Sequence, residues 1–189
     1  MFDKEMDFYG KHATYLRSLA PSRQYLEKSD QRVTFFRSNI EVVLAAAVIG
    51  FVKQRKAPSE GNKEVAPNNI FAQALINHKD ELELIYRLIM LLDDNDKLSI
   101  DNRIDKAFKY DADPEKSKAG EDIFWAYVRG GIEYLYENLY EKSDNTQEDI
   151  RHILEFVASY NATYSKENIT KEILDLCKIG RASCRERGL

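Results

Sequence analysis

Apolar residues recur at spacings of three and four along almost the whole chain. That repeat gathers them on one face of an α-helix, whereas a half-buried strand needs alternation. The expectation is therefore all-α, an irregular bundle of about six to seven helices. One short stretch resists it: Val33 to Phe36 reads either as an extended segment or as an upstream helical turn.

The best-marked helix opens at Ser38, where Ser38 and Glu41 stand in capping-box spacing ahead of Ile40, Val43, Leu44, Ala47, Val48 and Phe51. Ala45, Ala46, Ala47 and Gly50 give it a thin side, against which another helix can approach closely, so it is expected at the centre of the bundle. It should end in the basic run Lys53, Arg55, Lys56 before Pro58. Residues 57 to 68, with Pro58, Gly61 and Pro67, read as the clearest loop.

Helices are expected next over Asn69 to His78 and Asp80 to Leu92. In the second, Leu82, Leu84, Ile85, Leu88, Ile89, Leu91 and Leu92 cover so much of the circumference that the helix should be buried. A short amphipathic helix is expected over Ile100 to Tyr110, followed by a loop from Asp111 to Gly120. A long helix over Glu121 to Lys142 carries the ladder Phe124, Val128, Gly131, Leu135 and Leu139. Thr146 and Asp149 read as the capping pair of a further helix, and Ser165 opens a last one containing Ile169, Ile173 and Leu174.

Residues 178–187, KIGRASCRER, coincide with one reading frame of a short-read sequencing adapter, so 178–189 are expected not to be native. The remainder, 1–177, suits a single helical domain. Residues 1–66 carry eleven Lys and Arg against eight Asp and Glu, a mildly basic part. Residues 67–177 carry thirteen against twenty-three, an acidic part. Cys177 and Cys184 give no disulfide framework, and a reducing, cytoplasmic setting is the default. Met1 to Glu5 lack the apolar core of a secretory signal, and the longest uncharged apolar run, Val42 to Val52, falls well short of the ~20 residues of a membrane span.

Chemical motifs are scarce. His12, His78 and His152 are the only histidines, and none lies in a catalytic motif. His152 sits between Glu148 and Glu155 at helical spacing, but no second such cluster faces it, so no metal is expected. Asp93, Asp94, Asp96 and Asp101 break calcium-loop alternation at Lys97 and Leu98. No glycine-rich phosphate cradle occurs, and no cofactor is expected.

Two features stand above this background. Arg129, Gly130 and Gly131 interrupt the long helix, and the missing side chains admit either a neighbouring helix or a kink that shapes a ligand pocket. Around them Trp125, Tyr127, Tyr134, Tyr136 and Tyr140 exceed what one buried face holds, so an interaction surface made from these rings and Arg129 is expected. The second feature is the series Arg17, Arg23, Lys28, Arg32 and Arg37 with Lys53, Arg55 and Lys56, interleaved with Tyr15, Tyr25 and Phe35, the composition of a single-stranded nucleic-acid groove.

The leading expectation is a non-enzymatic helical interaction or adaptor protein, a small subunit that docks a protein partner or a second copy through the aromatic helix. The alternative is a nucleic-acid-binding accessory protein using the basic part. An enzyme or small-ligand binder with a pocket near Arg129–Gly131 is the second alternative.

Overall fold

The computed structural model describes residues 1–20, 33–61, 64–93, 98–110, 114–142 and 145–165. These form seven α-helices and one small sheet: β1 (Met6–Phe8), α1 (Gly10–Leu19), α2 (Asn39–Val52), β2 (Asn68–Ile70), α3 (Ala72–Asn77), α4 (Lys79–Leu92), α5 (Ile100–Phe108), α6 (Pro114–Leu135) and α7 (Thr146–Thr163). A π-helical turn, Tyr136–Tyr140, prolongs α6. The all-α expectation holds, and no helix among the described residues is long and apolar enough to cross a membrane.

The centre is the crossing of α2 and α6, which the small residues create. A methyl group at Gly50 would overlap the carbonyl of Tyr127, and one at Gly131 would overlap that of Ala46. At Gly130 it would meet the carbonyl of Arg55. The gap at Gly130 and Gly131 is thus filled by the backbone of α2 and the turn behind it. The absent side chains of Gly130 and Gly131 are therefore met by backbone rather than by open space. Phe124, Tyr127, Val128, Ile132 and Leu135 then bury against Ile40, Val43, Ala46 and Ala47.

Helix α2 stops before Pro58 acts. Gln54 adopts the left-handed conformation at φ 51°, and the Arg55 N–H turns back to the Gly50 carbonyl at 2.8 Å, a Schellman closure. The following turn is fastened to α6 at Ala57, whose N–H donates to Ala126 O and whose carbonyl accepts from Arg129 Nε, both at 2.9 Å.

Several local expectations need correction. Asn69 begins no helix: Asn68–Ile70 pair antiparallel with Met6–Phe8, with Met6 opposite Ile70 and Phe8 opposite Asn68. Three-residue strands are too short to show alternation, so they left no pattern to read. Val33 to Phe36 are neither strand nor helix, although the Phe36 N–H reaches the Leu19 carbonyl at 3.1 Å. Helix α6 starts at Pro114 inside the expected loop, as suits a residue favoured in the first helical turn. The cap of α7 is Asn145, which accepts from the Glu148 N–H at 3.0 Å. Asp149 is buried and accepts from the Val33 N–H at 3.1 Å. Ser38 flanks α2 without a side-chain cap, while Glu41 accepts from the Arg37 N–H. The helix expected from Ser165 onward lies outside the described residues.

The largest departure is α4, which is only half covered. Leu82, Tyr86, Ile89 and Met90 face the core. Leu84, Leu88 and Leu92 remain 59, 46 and 60% exposed, and Ile100, Ile104 and Phe108 of α5 remain 75, 40 and 53% exposed.

Candidate functional site

The sequence-selected rings divide between interior and seams. Trp125 packs edge-to-face against Phe2, Phe8 and Phe124 in the core. Tyr127 is buried beside Phe51, and its hydroxyl donates to Gln54 Oε1 at 3.2 Å. Burial raises the Tyr127 phenol above its ordinary range. Arg129 is committed to Ala57. Tyr136 stacks on Tyr15 with ring centroids 3.8 Å apart, and Tyr140 stacks on Tyr136 at 5.3 Å. Tyr134 borders Phe156 at 6.3 Å. The half-buried trio Tyr134, Tyr136 and Tyr140 is what remains of the expected aromatic surface.

Of the basic series, Arg17, Lys53, Arg55 and Lys56 are engaged within the protein. The Arg17 guanidinium donates to the Ala66 and Pro67 carbonyls. Lys53 lies over the rings of Tyr134 and Tyr160. Lys56 pairs with Asp93 at 2.8 Å and covers the Tyr127 ring. Arg37 is exposed. Arg23, Lys28 and Arg32 lie outside the described residues.

Arg55 belongs to a cluster that the sequence did not announce. Its guanidinium forks onto Glu137 at 2.6 and 2.5 Å and onto Glu133 at 2.9 Å. Glu133 is buried and also receives His12 Nε2 at 3.0 Å and Lys11 Nζ at 3.1 Å. Glu60 joins from the loop after α2, accepting the Lys11 N–H at 2.9 Å and so satisfying one orphan donor at the start of α1. The spacing Glu133, Glu137 was the available signal: two acids four apart beside an apolar ladder imply cations facing them.

Burial alone would raise the Glu133 carboxyl, but donors from Lys11, Arg55 and His12 outweigh it and hold the group below the ordinary carboxylate range. Burial dominates at His12 and pushes its imidazole below the ordinary histidine value despite Glu133. A neutral ring whose Nε2–H donates to Glu133 is the assignment that fits this contact. The cluster pairs acids and bases of the protein with one another, and His12 is buried. This arrangement clamps α1, the turn after α2 and α6 together.

What the surface does offer is apolar. The Leu84, Leu88, Leu92 stripe lies beside the Ile100, Ile104, Phe108 stripe, because α4 and α5 run side by side with Arg87 over the Phe108 ring and Arg103 reaching the Leu91 carbonyl. Sequence reading assigned the α4 leucines to the core because their number suggested full burial.

A family model described as DNA sulphur modification system-associated protein 4 matches residues 22–172. No curated protein and no solved structure matches the chain.

Proposed function

This chain belongs to the DNA sulphur modification system-associated protein 4 family, and on that premise we propose that it is a non-enzymatic accessory subunit that docks another protein component of such a system. The observation that carries the reading is the uncovered apolar face of α4 and α5. Contiguous exposed apolar area is unusual on a chain that works alone, and it marks contact surfaces.

The rim supplies the partner's chemistry. Asp80 and Glu81 of α4 and Asp101 of α5 stand exposed, within a part of the chain that carries ten more acids than bases. An apolar helix or strand flanked by Lys and Arg complements that surface, apolar contact giving affinity and the rim giving orientation. Tyr134, Tyr136 and Tyr140 are the secondary surface in this proposal.

Light scattering after mixing with each purified component of the modification system tests it. The wild type should co-elute with one component, and Leu88→Asp or Phe108→Asp should weaken that complex at least about a hundredfold, the scale of losing a hot-spot side chain. Failure to co-elute with any component, or a complex indifferent to both substitutions, would overturn the reading.

A further inference from the structure

On the side of the molecule where the π-helical turn meets α7, a groove of about 240 Å³ is lined by Tyr134, Asn138, Lys142, His152, Phe156 and Ser159, with Glu155 at its lip. One wall is aromatic: Phe156 lies between Tyr134, at 6.3 Å, and Tyr160, at 4.9 Å. The Lys53 ammonium sits 5.4 Å from the Tyr134 ring and 5.2 Å from the Tyr160 ring. The opposite wall is polar. Asn138 Nδ2 donates to the Tyr134 carbonyl at 2.8 Å, which turns its Oδ1 toward Lys142 Nζ at 3.0 Å.

Among the described residues, two polar atoms of α7 are buried without a hydrogen-bond partner: His152 Nδ1, which lines the groove, and the Tyr160 hydroxyl, on the ring next to Phe156. Burial lifts the Tyr160 phenol to about 12, so at neutral pH it is a neutral hydroxyl with a proton to give. Buried unpaired polar atoms are rare and costly, and a bound group that pairs with them recovers that cost. The neighbouring π-helical turn is itself a feature concentrated at functional sites.

Taken together, the groove is lined by the rings of Tyr134 and Phe156, the Lys142 ammonium and one carboxylate, with the Lys53 ammonium beside the Tyr134 ring. Rings receive a flat heterocycle by stacking. The ammonium groups receive an anion, and Glu155 accepts from a ring N–H or exocyclic amine. We propose that this groove binds a single nucleotide unit, its base against Tyr134 and Phe156 and its phosphate toward Lys142, with His152 hydrogen-bonding the base edge. The volume lies below the roughly 300 Å³ at which drug-sized pockets begin, which admits one base and excludes a stacked run. This site lies on α6 and α7 rather than on the α4–α5 face, so it stands or falls apart from the docking role.

Titration calorimetry with the full chain tests it, using deoxynucleoside monophosphates, the matching nucleosides, inorganic phosphate and a short unpaired oligonucleotide. A monophosphate or the oligonucleotide should bind saturably, and the nucleoside and phosphate each about tenfold more weakly. Tighter binding of the free monophosphate identifies a small-molecule ligand; tighter binding of the oligonucleotide identifies an unpaired base in a strand. Lys142→Glu, at an exposed position, and Phe156→Leu, with thermal melting as the folding control, should each lower affinity about tenfold or more. No saturable binding of either nucleotide form, equal binding of inorganic phosphate, or affinity unchanged in Lys142→Glu would overturn the proposal.

Discussion

At the scale of single residues, Glu133 organises the polar interior. One carboxylate accepts from Lys11, His12 and Arg55; removing it strands the buried His12 donor, while Lys11 keeps Glu60 and Arg55 keeps Glu137. Glu133→Ala should destabilise the protein by about 2 kcal/mol, the scale of losing hydrogen bonds to a charged group whose other partners are partly solvated. Urea titration reads this directly. Acid should act through the same residues. His12 is depressed below its unfolded value, so the unfolded chain takes up the proton first, and stability falls as pH drops below about 6.5. Glu133 is also depressed, and its contribution is lost below the ordinary carboxylate range near about 4.3. His12→Gln should remove the upper part of the acid loss and leave the lower; urea midpoints collected against pH separate the two. Arg55 was legible as a cation but not as a clamp, because its partners lie some eighty positions along the chain and local spacing says nothing of such distances.

At the scale of elements, small residues proved the most readable signal. Ala46, Ala47 and Gly50 on one helix and Gly130 and Gly131 on the other announced a close crossing, and α2 and α6 cross there by backbone contact. Gly131→Ala should therefore cost about 3 kcal/mol, at the upper end of typical overpacking, lowering Tm by roughly 6 to 12 °C for a chain of this size. Gly61→Ala, where an added methyl meets nothing within 4 Å, should leave Tm nearly unchanged. Differential scanning calorimetry on the pair isolates the crossing from any general effect of replacing glycine. Caps were legible only to within a residue: Asn145 took the role expected of Thr146, and Glu41 reached Arg37 rather than closing a box with Ser38. Side-chain oxygens at neighbouring positions compete for the same N–H groups, and tertiary contacts decide between them. Asp149 illustrates this, being drawn inward by the Val33 N–H.

At the scale of the whole molecule, composition announced a helical object without catalytic motifs but did not reveal which apolar face stays uncovered. Leu84, Leu88 and Leu92 satisfy the periodicity of a core helix, and only the placement of α5 to one side of α4 leaves them outside. The same holds for Ile150, Leu154 and Val157, a second exposed stripe on α7. Such surfaces should make the isolated protein bind a hydrophobic dye and self-associate weakly. Leu88→Glu should reduce both without lowering Tm, since a solvent-facing leucine contributes little to folding; dye fluorescence and sedimentation velocity would show it. The chain's family is associated with DNA sulphur modification systems, and the docking proposal draws its candidate partners from their components. The most direct test is side-chain radical footprinting of the chain alone and in complex with the component that co-elutes with it. The docking account predicts that Leu84, Leu88, Leu92, Ile104 and Phe108 lose reactivity in the complex while Tyr160 and Tyr164 keep theirs. Equal labelling of the α4 and α5 side chains in both states would contradict it.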